Sequence, residues 1–197
     1  MSVTELSREE NSAGLNSDQA FSKRRFFVLP GLKAQLVFWP LMVIGLALDL
    51  ASKSAVFSWL EQKPGNSVSI IDGFLQLVRT VNPGAAFGIG TGYSNLLIAV
   101  SVIALVVILV VFLLSGSQPK LVHVALGLFA AGVCGNLCDR IFNDGLVRDF
   151  IDVVYWPGRH WPAFNIADSL LCIGVALLIM ANFFTGKSSR TRARPQK

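Results

Sequence analysis

The chain has 197 residues, of which 53% are hydrophobic and only 15% charged, with a formal net charge of +5. Its mean hydropathy of +0.58 excludes an ordinary soluble globular domain and points to an integral membrane protein. The excess of Lys and Arg sits mainly in the two flanks, so it reads as a topology signal and not as a nucleic-acid surface.

Residues 1–33 mix Ser, Glu and Asn without periodicity and predict a disordered cytoplasmic tail. No cleavable signal peptide is evident, because the first apolar run follows this long polar and basic stretch. Four apolar runs, at 36–50, 96–114, 121–138 and 169–184, approach the roughly 20 residues that a spanning helix needs. With their flanks they predict spans at about 36–54, 95–114, 121–141 and 166–185 within a domain of 34–186. A basic tail at 187–197 follows. Lys23, Arg24, Arg25 and Lys33 precede the first span, and Lys187, Arg190, Arg192, Arg194 and Lys197 follow the last. Both termini are therefore expected to be cytoplasmic.

Between the first two spans, the β-branched and apolar runs 68–71 and 74–81 are bounded by Pro64-Gly65-Asn66 and Asn82-Pro83-Gly84. They predict a small extracytoplasmic sheet or hairpin within about 60–93. Residues 115–120 read as a short cytoplasmic turn, and 143–162 as a link carrying Asp, Arg and Trp at the membrane interface. The fold class expected is an all-α membrane protein: four transmembrane helices with a small extracytoplasmic β element. Cys134, Cys138 and Cys172 lie in or beside apolar runs with no His or further Cys at ligand spacing, and read as packing residues.

Direction of travel brings the unusual charges together. Spans one and three run outward, so Asp49, Asp139 and Arg140 arrive at the outer side, where span four starts with Asp168 and where Asp149 lies in the preceding link. Asp49 and Lys53 share a helix face and can pair, either as an interfacial anchor or beside a substrate. Gly132 and Gly135 suit close helix approach. Asn136, Asp139 and Arg140 go beyond packing and suit the positioning of a polar loop or a substrate main chain. Asn82-Pro83-Gly84 reads either as a local turn or as a loop offering an amide to the site. Asp149 and Asp168 form the sharpest constellation. Acids beside hydrocarbon are expensive, and two that can meet are able to share one proton, as an aspartic protease requires. A proton relay in a small transporter is the rival reading, but it calls for charges strung through the membrane depth, and the second and third runs carry none.

The set Asp49-x-x-x-Lys53, Asn82-x-Gly84-Ala85-Ala86-Phe87, Gly135-Asn136-Leu137-x-Asp139-Arg140, Val147-x-Asp149-Phe150 and Phe164-Asn165-Ile166-Ala167-Asp168-Ser169 resembles the bacterial lipoprotein signal peptidase family, or signal peptidase II. The resemblance runs from about residue 36 to 184. It implies a multi-pass aspartic endopeptidase of the bacterial inner membrane, acting at the extracytoplasmic side. Such an enzyme cuts signal peptides from prolipoproteins just before a diacylglyceryl-modified cysteine, with no metal or organic cofactor. Carried onto this chain, it implies Asp149 and Asp168 as the dyad. Asn82, Asn136, Arg140 and Asn165 become polar neighbours of dyad and substrate, with Gly84, Asp139 and Phe164 as site-supporting residues. Asp49 and Lys53 become a structural or substrate-proximal pair, and Gly132, Val147, Ala167 and Ser169 the packing around them. The implied partners are diacylglyceryl-modified prolipoproteins and membrane lipid, not nucleic acid, and the implied state is a monomer.

Overall fold

The computed structural model describes residues 29–84, 90–116 and 118–191, with side chains described as far as residue 183. Most of the expected N-terminal tail (1–28), residues 85–89 of the loop motif and the basic side chains from Lys187 onward lie outside the described residues.

In chain order the elements are α1 (Leu32–Glu61), β1 (Ser67–Ile71), β2 (Leu75–Asn82), α2 (Ser94–Leu113), α3 (Lys120–Phe142), β3 (Val147–Trp156), β4 (Arg159–His160) and α4 (Ile166–Thr191). Each helix contains a segment long and apolar enough to cross a membrane, and the strands form one antiparallel sheet in the order β1-β2-β3-β4. The architecture is thus the four-span membrane bundle with a small β element that run length and turn chemistry predict.

Burial shows how the bundle is organised. In α3, 61% of the spanning window is buried, against 17% in α1 and α4 and 6% in α2. So α3 is the central post, while the other helices turn most of their apolar surface outward, as helices solvated by lipid do. At the end away from the sheet, Phe38 of α1 stacks on Phe112 of α2 with ring centroids 3.9 Å apart, over Leu126 and Ala130 of α3.

Two elements differ from the sequence expectation. First, α1 continues to Glu61, so Asp49 and Lys53 stand well inside a helix rather than at its end. Second, the 143–162 link is not an irregular interfacial loop: it supplies β3 and β4. Strand β3 pairs with β2 in the register Asn82↔Val147 and Thr80↔Asp149, so the sheet joins strands from both sides of the α2–α3 pair. Tight turns with positive φ at Gly73 and Gly158 make the two hairpins possible. Pairing a strand on both sides satisfies its backbone groups, and that tertiary partner is what decides a ten-residue segment whose side chains alternate poorly.

Candidate active site

The site begins at the start of α4. Asn165 Oδ1 accepts the backbone N–H of Asp168 at 3.0 Å, and Asp168 Oδ2 accepts the backbone N–H of Asn165 at 3.1 Å. This reciprocal pair is a capping box: Asn165 is the N-cap, and Asp168 is the acid three residues on. The cap of α4 is thus Asn165, and Asp168 completes the box from the first turn. Asp49 reaches over from α1 and accepts the next orphan donor, the N–H of Ala167, at 2.8 Å. Two carboxylates therefore meet the positive end of the α4 dipole.

Above this helix start, β3 presents Asp149, which is 2% exposed. Asn165 Nδ2 donates to Asp149 Oδ1 at 2.6 Å and to Asn136 Oδ1 at 3.1 Å. Asn136 in turn donates its Nδ2 to Asp168 Oδ1 at 2.8 Å. One asparagine from α3 and one from the α4 cap thus bridge the two acids. Ser169 returns its hydroxyl to the Asn165 carbonyl at 3.1 Å.

Behind the asparagines lies a buried ionic cluster. Lys53 has no exposed side-chain surface and sits 2.7 Å from Asp49 Oδ2, 3.3 Å from Asp139 Oδ2 and 3.0 Å from Asn136 Oδ1. Asp139 also accepts the backbone N–H of Arg148 at 2.9 Å, its Nε at 3.1 Å and its Nη2 at 2.7 Å. That fork seats the start of β3 on the end of α3, and so fixes the residue next to Asp149. Arg148 was not singled out in the sequence; its place beside Asp149 and nine residues after Asp139 was the available signal. The small residues fit the same junction. A Cβ on Gly132 would lie 2.6 Å from the Ala167 carbonyl, and one on Gly135 would collide with Asp49 Oδ2.

Arg140 extends the site toward the loop after β2. Its Nη2 donates to the Gly84 carbonyl at 3.0 Å and its Nη1 to the Asn136 carbonyl at 3.3 Å. Asn82 Oδ1 accepts the Gly84 N–H at 2.9 Å, closing a local turn, while the Asn82 side chain also bonds Asp149. Val147 is buried beneath the strand, and the Phe164 carbonyl accepts the N–H groups of Phe150 and Ile151 at 3.1 and 2.8 Å, holding the next turn of β3.

Asp149 and Asp168 line one cavity of about 1120 Å³, together with Asn82, Gly84, Asn136, Arg140 and Ser169. Its walls are mainly apolar and come from α2 (Leu97, Val100, Ala104) and α4 (Leu171, Ile173). Val100 and Ile173 are themselves about half exposed, so the cavity opens sideways between these helices. Burial, reinforced by the negative charge of Asp168, pushes the Asp149 carboxyl up from its ordinary value to about 7, against the opposing hydrogen bonds of Asn165 and Asn82. A neutral carboxyl and an ionised one can therefore coexist across the cavity near neutral pH, the arrangement that general acid–base hydrolysis needs.

The likeness to known proteins is extensive. A family model described as signal peptidase (SPase) II matches residues 41–184. The lipoprotein signal peptidase of Geobacter sulfurreducens is 41% identical over 145 residues, covering 72% of this chain and 88% of the relative. That of Bacillus pumilus is 34% identical over 158 residues, covering 79% and 97%. A solved structure described as a bacterial membrane enzyme, determined at 2.3 Å by the in meso method, superposes with a TM-score of 0.68 at 30% identity, covering 88% of this chain and 100% of the other. With the match spanning most of the chain and containing every residue of the cavity's polar floor, the chain belongs to the signal peptidase II family of aspartic peptidases.

Proposed function

We propose that this enzyme removes signal peptides from prolipoproteins by hydrolysing the bond before a diacylglyceryl-modified cysteine, with Asp149 and Asp168 as the catalytic dyad. The observation that carries this reading is the convergence of both carboxyls, one raised to about 7, on a single apolar-walled cavity. Asp168, whose two oxygens each receive an N–H, serves as the carboxylate that takes a proton from the attacking water. Asp149, in its protonated form, donates to the scissile carbonyl oxygen. As the tetrahedral intermediate collapses, Asp168 gives the water-derived proton to the leaving amine and Asp149 takes back a proton from a hydroxyl of the intermediate, which restores both carboxyls. Arg140 and the Gly84 loop hold the substrate main chain, and the sideways opening between α2 and α4 admits a signal helix and two acyl chains from the lipid.

In this reading the protein is a monomer of the bacterial inner membrane. Both termini are cytoplasmic, the site faces the extracytoplasmic side, and nucleic acid plays no part. The polar stretch before α1 and the basic residues 187–197, the first of which continue α4, flank a domain of about 34–186. The test is cleavage of a lipidated precursor by purified, correctly inserted Asp149→Asn and Asp168→Asn variants. Each keeps the side-chain size and loses acid–base cycling, so each is expected to lower turnover by about 10³-fold or more, with the double variant scarcely worse. Near wild-type cleavage by either single variant overturns the dyad.

A further inference from the structure

We propose that Lys53 is a positioning residue for the dyad: its buried ammonium fixes the Asn136 amide so that the NH₂ group faces Asp168, which makes Asp168 the proton acceptor. The inference rests on the dyad reading above and deepens it.

A lysine ammonium has three donors and no acceptor, and the three groups around Lys53 Nζ are all acceptors: Asp49 Oδ2, Asp139 Oδ2 and Asn136 Oδ1. An asparagine amide can sit either way round, and the surroundings decide which. Here Asn136 Oδ1 already takes Lys53 Nζ and Asn165 Nδ2. Turning the amide over would set its NH₂ group against an ammonium and a second NH₂, and its oxygen against the Asp168 carboxylate. Three attractive contacts would become three repulsive ones. The ammonium thereby reaches Asp168 through the amide, and Asp168 gains a donor on Oδ1 to match the Asn165 N–H on Oδ2.

The action runs through the amide rather than through the field of the lysine. Asp49, Asp139, Lys53 and Arg148 form a cluster of two acids and two bases whose formal charges cancel, and the direct pull of Lys53 on Asp149 ranks below burial, Asp168 and the amide hydrogen bonds. The charged groups facing Asp168 at close range are Asp149 from β3 and Arg140 from α3, with Lys53 and Asp49 of α1 and Asp139 of α3 behind Asn136.

The test is the pH profile of kcat/KM for a lipidated precursor with the full chain. Asp49→Asn is the reference, and Lys53→Met is added on that background so that no lone acid is stranded. Freed of the ammonium, Asn136 loses its fixed orientation, Asp168 loses a donor to its ionised form, and the acid limb moves up by about one pH unit. Adding Asn136→Leu should then move it no further. An additive second shift means that Lys53 acts by charge, and a fall in kcat with an unmoved limb means that it only holds the fold; either overturns the proposal. Should the paired variant not fold, the chain with Asp49 and Lys53 both in place decides. The ¹⁵N-labelled Asn136 amide protons must shift when Asp168 is replaced by Asn, and unmoved resonances refute the link. Activity in Asp168→Asn would instead sink the dyad reading, and with it the role of Asp168 as proton acceptor, whatever the pH limb or the Asn136 resonances do.

Discussion

Replacing Asp139 by Asn removes one negative charge from the middle of the ionic cluster and leaves the side-chain shape unchanged. Asp139 is 1% exposed and meets Arg148 at 2.7, 2.9 and 3.1 Å and Lys53 at 3.3 Å. Removing one partner of a buried ion pair costs about 3–5 kcal/mol, because the opposite charge stays buried without its counterion. Arg148 softens the loss: it is partly exposed and also reaches the Ser54 hydroxyl at 3.3 Å, so the lower end, about 3 kcal/mol, applies. At roughly 2–4 °C per kcal/mol for a chain of this size, the melting midpoint should fall by about 6–12 °C. Turnover should fall as well, by about 100-fold, since β3 loses the fork that seats the residue next to Asp149. Tryptophan-fluorescence melting in detergent, run alongside precursor cleavage, reads both. Glu61→Gln is the control. Glu61 and Arg79 are 3.8 Å apart with side chains 69% and 39% exposed, and such surface pairs contribute about 0–1 kcal/mol. An Asp139→Asn protein that melts with the Glu61→Gln control and cleaves at the wild-type rate would refute the view that this cluster holds the site.

With the Asp149 carboxyl pushed up to about 7, its neutral form persists to near-neutral pH and is lost above it. Accordingly kcat/KM should fall about tenfold per unit on the alkaline side, and an alkaline limb below about pH 5 would contradict the burial argument. Asn82→Ala deletes a bond that favours the anion, so it should move that limb up and not down. An unlipidated precursor should be cleaved about 100-fold more slowly than the lipidated one, since two acyl chains greatly strengthen retention in the bilayer; equal rates would mark a general signal-peptide protease. Reporters fused after Lys187 or before Leu36 should read cytoplasmic and reporters at Gly73 or Gly158 extracytoplasmic, and a cytoplasmic reading at Gly73 would invert the proposed topology.

The features legible in the sequence are those with one-dimensional signals. Spanning helices announce themselves by run length, and once their direction is counted off, Asp49, Asp139, Arg140 and Asp168 must arrive at the same end. Acids beside hydrocarbon need a reason, which singles out Asp149 and Asp168 without any coordinates. What stayed hidden depends on pairing at a distance. Strand β3 is set by its register with β2 across an insertion of two helices, and nothing within 147–156 states that register. Asn165 enters the site only through the family resemblance: by itself it reads as one polar residue before an apolar run, and the capping box and the bridge to both acids depend on contacts that the sequence does not state. Asp49 and Lys53 read as an interfacial pair or a substrate contact because an isolated helix cannot show that Asp49 caps α4.

Why a membrane enzyme should gather two acids and two bases, three of them buried, beside its proposed dyad follows from what lipid withholds. Helices in a bilayer gain little from apolar contact with one another, because lipid tails solvate them as well as a neighbouring helix does, so apolar packing leaves rotation and depth loosely specified. A dyad tolerates no such looseness: misplacing a reacting group by about 1 Å can cost about 100-fold in rate. The cluster supplies the missing specificity. Lys53 and Asp49 pin α1 to α3 and to the first turn of α4, and Asp139 pins α3 to β3. Gly132 and Gly135 leave room for these contacts at van der Waals range, where any Cβ would hold the helices apart. Rotating α1 or sliding α3 by one residue would strand at least one buried charge, a penalty no gain in apolar packing offsets. Directional polar contacts thus set the register of the helices, and that register brings an acid on a strand to an acid on a helix.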